Sequence, residues 1–340
     1  MAIEPQELEF IGSALAKLRT EVGRALVGQQ EVIDQTLVAF VASGHILYEG
    51  LPGLGKTLLA RALAQAMSLQ FSRVQFTPDL MPSDLTGHAI LEPSSDGGIG
   101  RLRLRKGPIF TNLLLGDEIN RAPAKTQSAL LEVMQERQVT LEGQTMSLPR
   151  PFMVLATQNP IDSEGTYPLP EAQRDRFLFK IDIGFPTQAE EVDVVKAATG
   201  HQVGDALPLD KVQRCLTEAD VARVQQMVSS VLIDDRVVDY AVRLVRATRG
   251  AVGLGNGAGS RGAVGLGNGA GSRGAIALVR AARAAALIHG RDYATPDDVK
   301  RQVLPALRHR VVLSPDAQLE GRAVDDVLRE IVTRVDAPRL

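Results

Sequence analysis

Residues 45–57 read His45-Ile-Leu-Tyr-Glu-Gly-Leu-Pro-Gly-Leu-Gly-Lys-Thr57, and the fold class turns on them. A short apolar run closed by Gly50 predicts a buried strand. Gly50 to Thr57 fits the pattern G-x-x-x-x-G-K-[ST]. Leu58 to Met67, rich in Leu and Ala, predicts a helix. Strand, glycine turn and helix in that order are the context the pattern requires. The glycines let backbone N–H groups turn inward around phosphate oxygens. Lys56 reaches the outer phosphates, and the Thr57 hydroxyl can ligate Mg²⁺. The helix points its positive N-terminus at the same anion.

About sixty residues further on, Thr111-Asn-Leu-Leu-Leu-Gly-Asp117-Glu118 delivers two adjacent acids at the carboxyl end of an apolar strand. Open α/β sheets bind ligands at that end. Neighbours on an extended strand point opposite ways, which assigns Asp117 to Mg²⁺ and Glu118 to the attacking water. Phe152–Thr157 predicts a third buried strand, from which Asn159 can reach the γ-phosphate or the water. Asp175-Arg176-Phe177, ahead of a fourth apolar run to Ile183, supplies a cation.

Outward from this centre, helices are predicted from Leu8 to Leu26, from Gln30 to Gly44 and over Thr126–Glu136. The pattern from Phe71 to Gly107 is irregular. Two hairpins are expected, His88–Leu91 with Arg101–Leu104 and Gln138–Leu141 with Thr145–Leu148. Alternating strands and helices imply a parallel sheet wrapped by helices. Beyond Gly200 strands vanish. Asp220–Leu232, Arg236–Thr248, Gly274–His289, Pro296–Ala306 and Ala323–Val335 predict helices, with Thr295 as an N-cap. Residues 1–200 are therefore expected to form the α/β core with its N-terminal helix, and 205–340 an all-α domain. Gly250–Arg261 and Gly262–Arg273 repeat one twelve-residue string, GAVGLGNGAGSR. Its composition predicts a flexible loop over 250–273.

The chain has 340 residues, suggesting roughly two domains. Its formal charge is −2, and it holds 4 Tyr, 9 Phe and no Trp, so nucleic acid is not the expected partner. The five histidines (His45, His88, His201, His289, His309) and Cys215 have no metal-ligand spacing. One cysteine fits a reducing compartment. No apolar run reaches the roughly 18 residues of a membrane span, and the acidic start MAIEPQELEF is no secretory signal. A cytoplasmic location is expected.

The combination resembles the AAA+ ATPases, and within them the MoxR family. The strings that carry it are HILYEGLPGLGKT (45–57), QFTPDLMPSDLTG (75–87), KGPIFTNLLLGDEINRAPAKTQSALLEVMQE (106–136), VLATQNPIDSEGTYPLPEAQRDRF (154–177) and GRDYATPDDV (290–299). They span roughly residues 25 to 335. The resemblance implies an AAA+ P-loop NTPase core with inserted β-hairpins, a helical lid, and a ring, usually a hexamer, with ATP at the seams. Gly50, Pro52, Gly53, Leu54, Gly55, Lys56, Thr57 and Leu58 match the phosphate-binding positions, and Val27 and Gly28 the segment beside the adenine. Thr57 and Asp117 match the metal positions, Glu118 the catalytic acid and Asn159 the first sensor. Arg176 matches an arginine finger that enters the neighbour's site, and Arg273, opening the lid helix, the second sensor. Gly116 departs from a usual Ala, and Arg174 from a usual apolar residue. The repeat also places Arg261 in a second Ser-Arg pair.

The resemblance further implies ATP bound between core and lid, with hydrolysis coupled to chaperone-like remodelling of client enzymes, including metal-cofactor insertion. A protein with a von Willebrand factor A domain is the implied partner. The alternatives are a magnesium-chelatase-like motor subunit and a DNA translocase. The run Arg101, Arg103, Arg105, Lys106 would serve the latter. Intact Lys56, Asp117 and Glu118 argue against a non-hydrolysing switch.

Overall fold

The structure is a computed structural model that describes residues 3–92, 101–160, 166–199, 209–249 and 266–339. It opens with helices α1 (Pro5–Ala25) and α2 (Gln30–Val41), then β1 (Ile46–Glu49), α3 (Lys56–Ala66), β2 (Phe71–Gln75) and α4 (Pro82–Thr86). A hairpin of β3 (Gly87–Glu92) and β4 (Arg101–Lys106) precedes β5 (Leu113–Asp117) and α5 (Ala124–Glu136). A second hairpin, β6 (Gln138–Leu141) and β7 (Gln144–Ser147), precedes β8 (Met153–Gln158), α6 (Glu171–Arg174), β9 (Phe179–Asp182) and α7 (Gln188–Thr199). The remainder holds α8 (Glu218–Met227), β10 (Leu232–Ile233), α9 (Asp235–Arg249), β11 (Leu266–Asn268), α10 (Ser272–Ile288), β12 (Tyr293–Ala294) and α11 (Pro296–Leu307). It closes with β13 (Val312–Leu313), α12 (Pro315–Leu319) and α13 (Val324–Arg334).

The central sheet has five parallel strands in the order β2-β5-β8-β1-β9. Its period-two side chains divide the molecule's interior. Ile46, Tyr48, Leu113, Leu115, Met153 and Leu155 face a core shared with α1, α2, α3 and the lid helices. Leu47, Leu114, Val154 and Ala156 face a second core built with α5 and the β6–β7 hairpin. The first core is continuous from sheet to lid, and Arg280 of α10 donates to Ala42 O and to Ser43 O (3.2 Å) beyond α2. Chain order reverses direction at β1, which lies between β8 and β9. A ligand is therefore expected beyond its carboxyl end.

Both expected hairpins form. The turn of the second is made by Glu142 (φ +46°) and Gly143 (φ +76°), the left-handed pair a tight hairpin needs. The 93–100 tip of the first lies outside the described residues. The irregular stretch contains β2 and α4. Strand β5 starts at Leu113, two residues later than expected, because Asn112 is a fastener: its side chain accepts from Gln70 N (3.0 Å) and donates to Pro151 O (3.0 Å). The lid is helical, with two short ladders added, β10 with β12 and β11 with β13. Thr295 caps α11, with reciprocal bonds to Asp298.

The loop expected over 250–273 is corrected at its end. Residues 266–273 are seated as β11 and the first turn of α10, while 250–265 lie outside the described residues. Leu266 is 2% exposed, and Ala270 N donates to Thr248 Oγ1 at 3.0 Å. A Cβ on Gly269 would stand 2.6 Å from Thr248 O, so the bare backbone allows this close approach. Among the described residues no helix is long and apolar enough to cross a membrane.

Candidate active site

The turn after β1 bends through Gly53 (φ +87°) and Gly55 (φ +82°), left-handed positions that side chains disfavour. Helix α3 starts at Lys56 and aims its N-terminus into a cavity of about 1350 Å³. Gly50, Pro52, Gly53, Leu54, Gly55, Lys56, Thr57 and Leu58 line it, joined by Asp117, Glu118, Thr157 and Asn159 from the ends of β5 and β8. Lys56 Nζ folds back onto Gly50 O (2.6 Å) and Leu51 O (3.0 Å). Burial lowers its pKa, against the upward pull of Asp117 and Glu118. The rest of the lining mixes apolar side chains with Gln29, Gln188, Glu191 and Lys196. Its apolar members are Leu26 and Val27 together with Phe185, Val192, Val194 and Val195, and the last four are exposed. Apolar side chains facing an anion-binding turn can hold a heterocyclic base attached to phosphates.

The two acids are separated differently from the expectation of strand alternation. Glu118 has left the strand, with φ +57° and ψ +50°. That conformation costs about 1–3 kcal/mol in a non-glycine residue. One side chain holds it in place: Thr157 Oγ1 accepts from Glu118 N (2.9 Å) and donates to Asp117 Oδ1 (2.6 Å). From the edge strand β2, Arg73 Nη2 donates to Asp117 Oδ2 (2.7 Å) and Gln75 to Glu118 Oε2 (2.8 Å). Arg121 Nε lies 3.1 Å from Glu118 Oε2. The donor set fits a magnesium triphosphate: Thr57 and Asp117 offer hard oxygens, Lys56 a cation, and the glycine turn backbone N–H groups. A Cβ on Gly116 would stand 3.1 Å from Phe76 Cε2.

Of the sequence-predicted residues, all the phosphate, metal and acid positions, Asn159 and Val27 meet at the cavity. Gly28 does not line it. Its φ of +78° and missing Cβ (2.6 Å from Glu190 Cβ if present) instead let α7 close against the turn. ATP was expected between core and lid; the described walls of this cavity come from residues 25–196, those of α7 among them. Arg176 and Arg273 lie outside the cavity. Arg273 Nη1 is 3.2 Å from Asp175 Oδ2, beside Arg176 in the chain. Among the described residues, Nε of Arg174 and Nε of Arg176 are buried without a partner. Arg261 lies outside the described residues. Sequence reasoning missed Arg73, Gln75 and Thr157. The polar-apolar-polar alternation Arg73-Val74-Gln75 signals a strand with one exposed face, but not that this face reaches the acids.

A profile of the ATPase family associated with various cellular activities (AAA) matches residues 45–179, and an AAA lid domain profile matches 260–331. Chaperone MoxR1 of Mycobacterium tuberculosis is 43% identical over 94% of this chain and 81% of its own. The Bacillus subtilis protein YeaC is 42% identical over 97% of both chains, and protein MoxR of Methylorubrum extorquens 32% identical over 96% and 95%. A crystal structure of a proposed ATPase from Cytophaga hutchinsonii superposes with a TM-score of 0.86, at 39% identity over 98% of both chains. With these relatives matched along nearly its whole length, and a phosphate turn and acid pair meeting at one cavity, the chain belongs to the MoxR family of AAA+ ATPases.

Proposed function

We propose that the chain binds ATP with Mg²⁺ in this cavity and hydrolyses it to ADP and phosphate within a ring, in which Arg176 of one protomer completes the site of the next. The observation that supports this is a separation. Lys56, Thr57, Asp117, Glu118 and Asn159 share one cavity, whereas Arg176 and Arg273 lie outside it on either side of Asp175. Arg176 is the cation we assign to the neighbouring protomer's site, and Arg273, which opens the lid helix, serves as the second sensor.

Lys56 exchanges its two loop carbonyls for phosphate oxygens. Val27 and the α7 wall hold the base. Asp117 releases Arg73 and, with Thr57, would hold Mg²⁺, which supplies charge neutralisation across the outer phosphates. Glu118 takes up the proton side of the attacking water, which Asn159 helps to orient. The neighbour's Arg176 offsets charge on the γ-phosphate, an effect of about 10³–10⁵ in rate for such fingers.

The work done is chaperone-like remodelling or maturation of client proteins, including metal-cofactor insertion. The ring is hexameric, its partner carries a von Willebrand factor A domain, and the lone Cys215 suits the cytoplasm. The test is turnover per chain against protein concentration, with mass followed by sedimentation. Turnover is expected to rise with assembly. Full-speed hydrolysis by monomers overturns the reading.

A further inference from the structure

Three consecutive lid residues, Arg308-His309-Arg310, grip the segment around β9, and the chemistry above makes no use of them. Arg308 Nη1 bonds Asp182 Oδ2 (2.8 Å) at the far end of β9, and its Nη2 bonds Asp325 Oδ2 (2.8 Å) on α13. His309 Nε2 stands 3.1 Å from Phe177 O. Arg310 is 4% exposed. Its Nε donates to Asp175 Oδ1 (2.7 Å), its Nη2 to Asp175 O (3.1 Å) and Phe177 O (2.7 Å), and its Nη1 to Leu178 O (3.1 Å) and Ala306 O. One buried guanidinium thus bonds five acceptors, and two of them are the carbonyls on either side of Arg176.

We infer that Arg310 is the positioning residue for Arg176. By fixing the peptide units that flank the finger, the lid of one protomer sets how far Arg176 reaches into its neighbour. This rests on Arg176 acting in trans. Charged groups act at the transition state only when held in place, and a 1 Å misplacement costs about 10² in rate. The clasp's other end, at Asp182, lies just before Phe185 in the cavity wall. The same three residues therefore join the nucleotide wall of one site to the finger of the next.

Full-length Arg310→Gln is expected to bind a fluorescent ADP analogue with a Kd within about twofold of the parent, because its own cavity is intact, while kcat falls roughly 10- to 100-fold. Mixed with Lys56→Ala, which lacks a working cavity but keeps a clasped finger, it is expected to regain turnover roughly fivefold above the sum of the two alone. Unchanged kcat overturns the inference. So does a defect that stays unrescued in mixtures where Arg176→Ala is rescued, since that marks a general structural role. If Arg176→Ala itself is not rescued in verified mixed rings, the reading of a finger acting in trans falls, and this inference with it. Should Arg310→Gln fail to fold, Asp175→Asn decides. It keeps the side chain's shape and removes the paired charge, and a rescuable loss of about three- to tenfold in kcat is expected. Unchanged kcat in Asp175→Asn overturns the inference.

Discussion

The acid pair beneath the cavity and the finger segment beside the lid are both dense in charge, yet they hold it in opposite ways. Asp117, 14% exposed, leans on Arg73, which is 46% exposed, and Glu118 on the similarly solvated Arg121. Ion pairs this open to water contribute about 0–1 kcal/mol each. Asp175, 26% exposed, is instead paired with Arg310 at 4% exposure, and removing the carboxylate leaves that buried guanidinium without its counter-charge, at a cost of about 3–5 kcal/mol. In the proposed cycle, the groups that would exchange partners are held by solvated pairs, and the finger segment by a buried guanidinium with five acceptors.

Three changes break or sharpen that contrast. Glu118→Gln acts on the weakly held side. It keeps Gln75's bond possible, so nucleotide binding is expected to persist while phosphate release falls about 10²–10⁴-fold. Release at the parent rate would remove Glu118 from the chemistry. His45 extends the contrast to the sheet's interior. Its Nδ1 accepts from Val154 N (2.9 Å) and its Nε2 faces Met134 O (3.1 Å), and burial pushes its pKa down to about 4. The unfolded chain then binds more protons than the folded one between about pH 6.5 and 4, so stability is complete above that window and falls with acid, by up to about 3 kcal/mol. Denaturant unfolding at pH 7, 6, 5 and 4 checks this. His45→Asn, which keeps an acceptor near Nδ1, is expected to flatten the slope, and an unchanged slope would count against the assignment. The smallest effect belongs to the repeat. The seat formed by Thr248 and Leu313 holds one copy, so deleting residues 250–261 is expected to shift stability by no more than about 1 kcal/mol, with ATPase activity kept. Loss of cooperative unfolding would mean that the first copy contributes to the fold.

The phosphate turn was readable because its elements are contiguous: β1, the glycines and α3 follow one another, and each has its own local signal. The acids and Asn159 were readable as ends of apolar runs. Arg73 and Gln75 were not, since they reach the acids only through the pairing of Arg73 with Leu115 and Gln75 with Asp117 across β2 and β5. The left-handed turn at Glu118 depends on Thr157, far along the chain. Helix α7 escaped notice because Val192, Val194 and Val195 form no single helical stripe, and they face a cavity rather than a core. The two repeat copies are identical, so composition treats them alike. Contacts with Thr248, Val312 and Leu313, distant in sequence, seat residues 266–270 of the second copy. The lid clasp is likewise invisible locally: Arg308, His309 and Arg310 read as an ordinary basic end to α11, and their core partners lie at Asp175–Asp182, far back along the chain.

The proposed division of the catalytic groups between protomers is tested most directly by mixing Arg176→Ala with Lys56→Ala, each expected to be nearly inactive alone. In mixed rings the intact cavity of the first meets the intact finger of the second, and ATP turnover is expected to reappear. If mixed rings form, as verified by mass, and turnover stays at the level of the separate variants, the finger does not act across a seam.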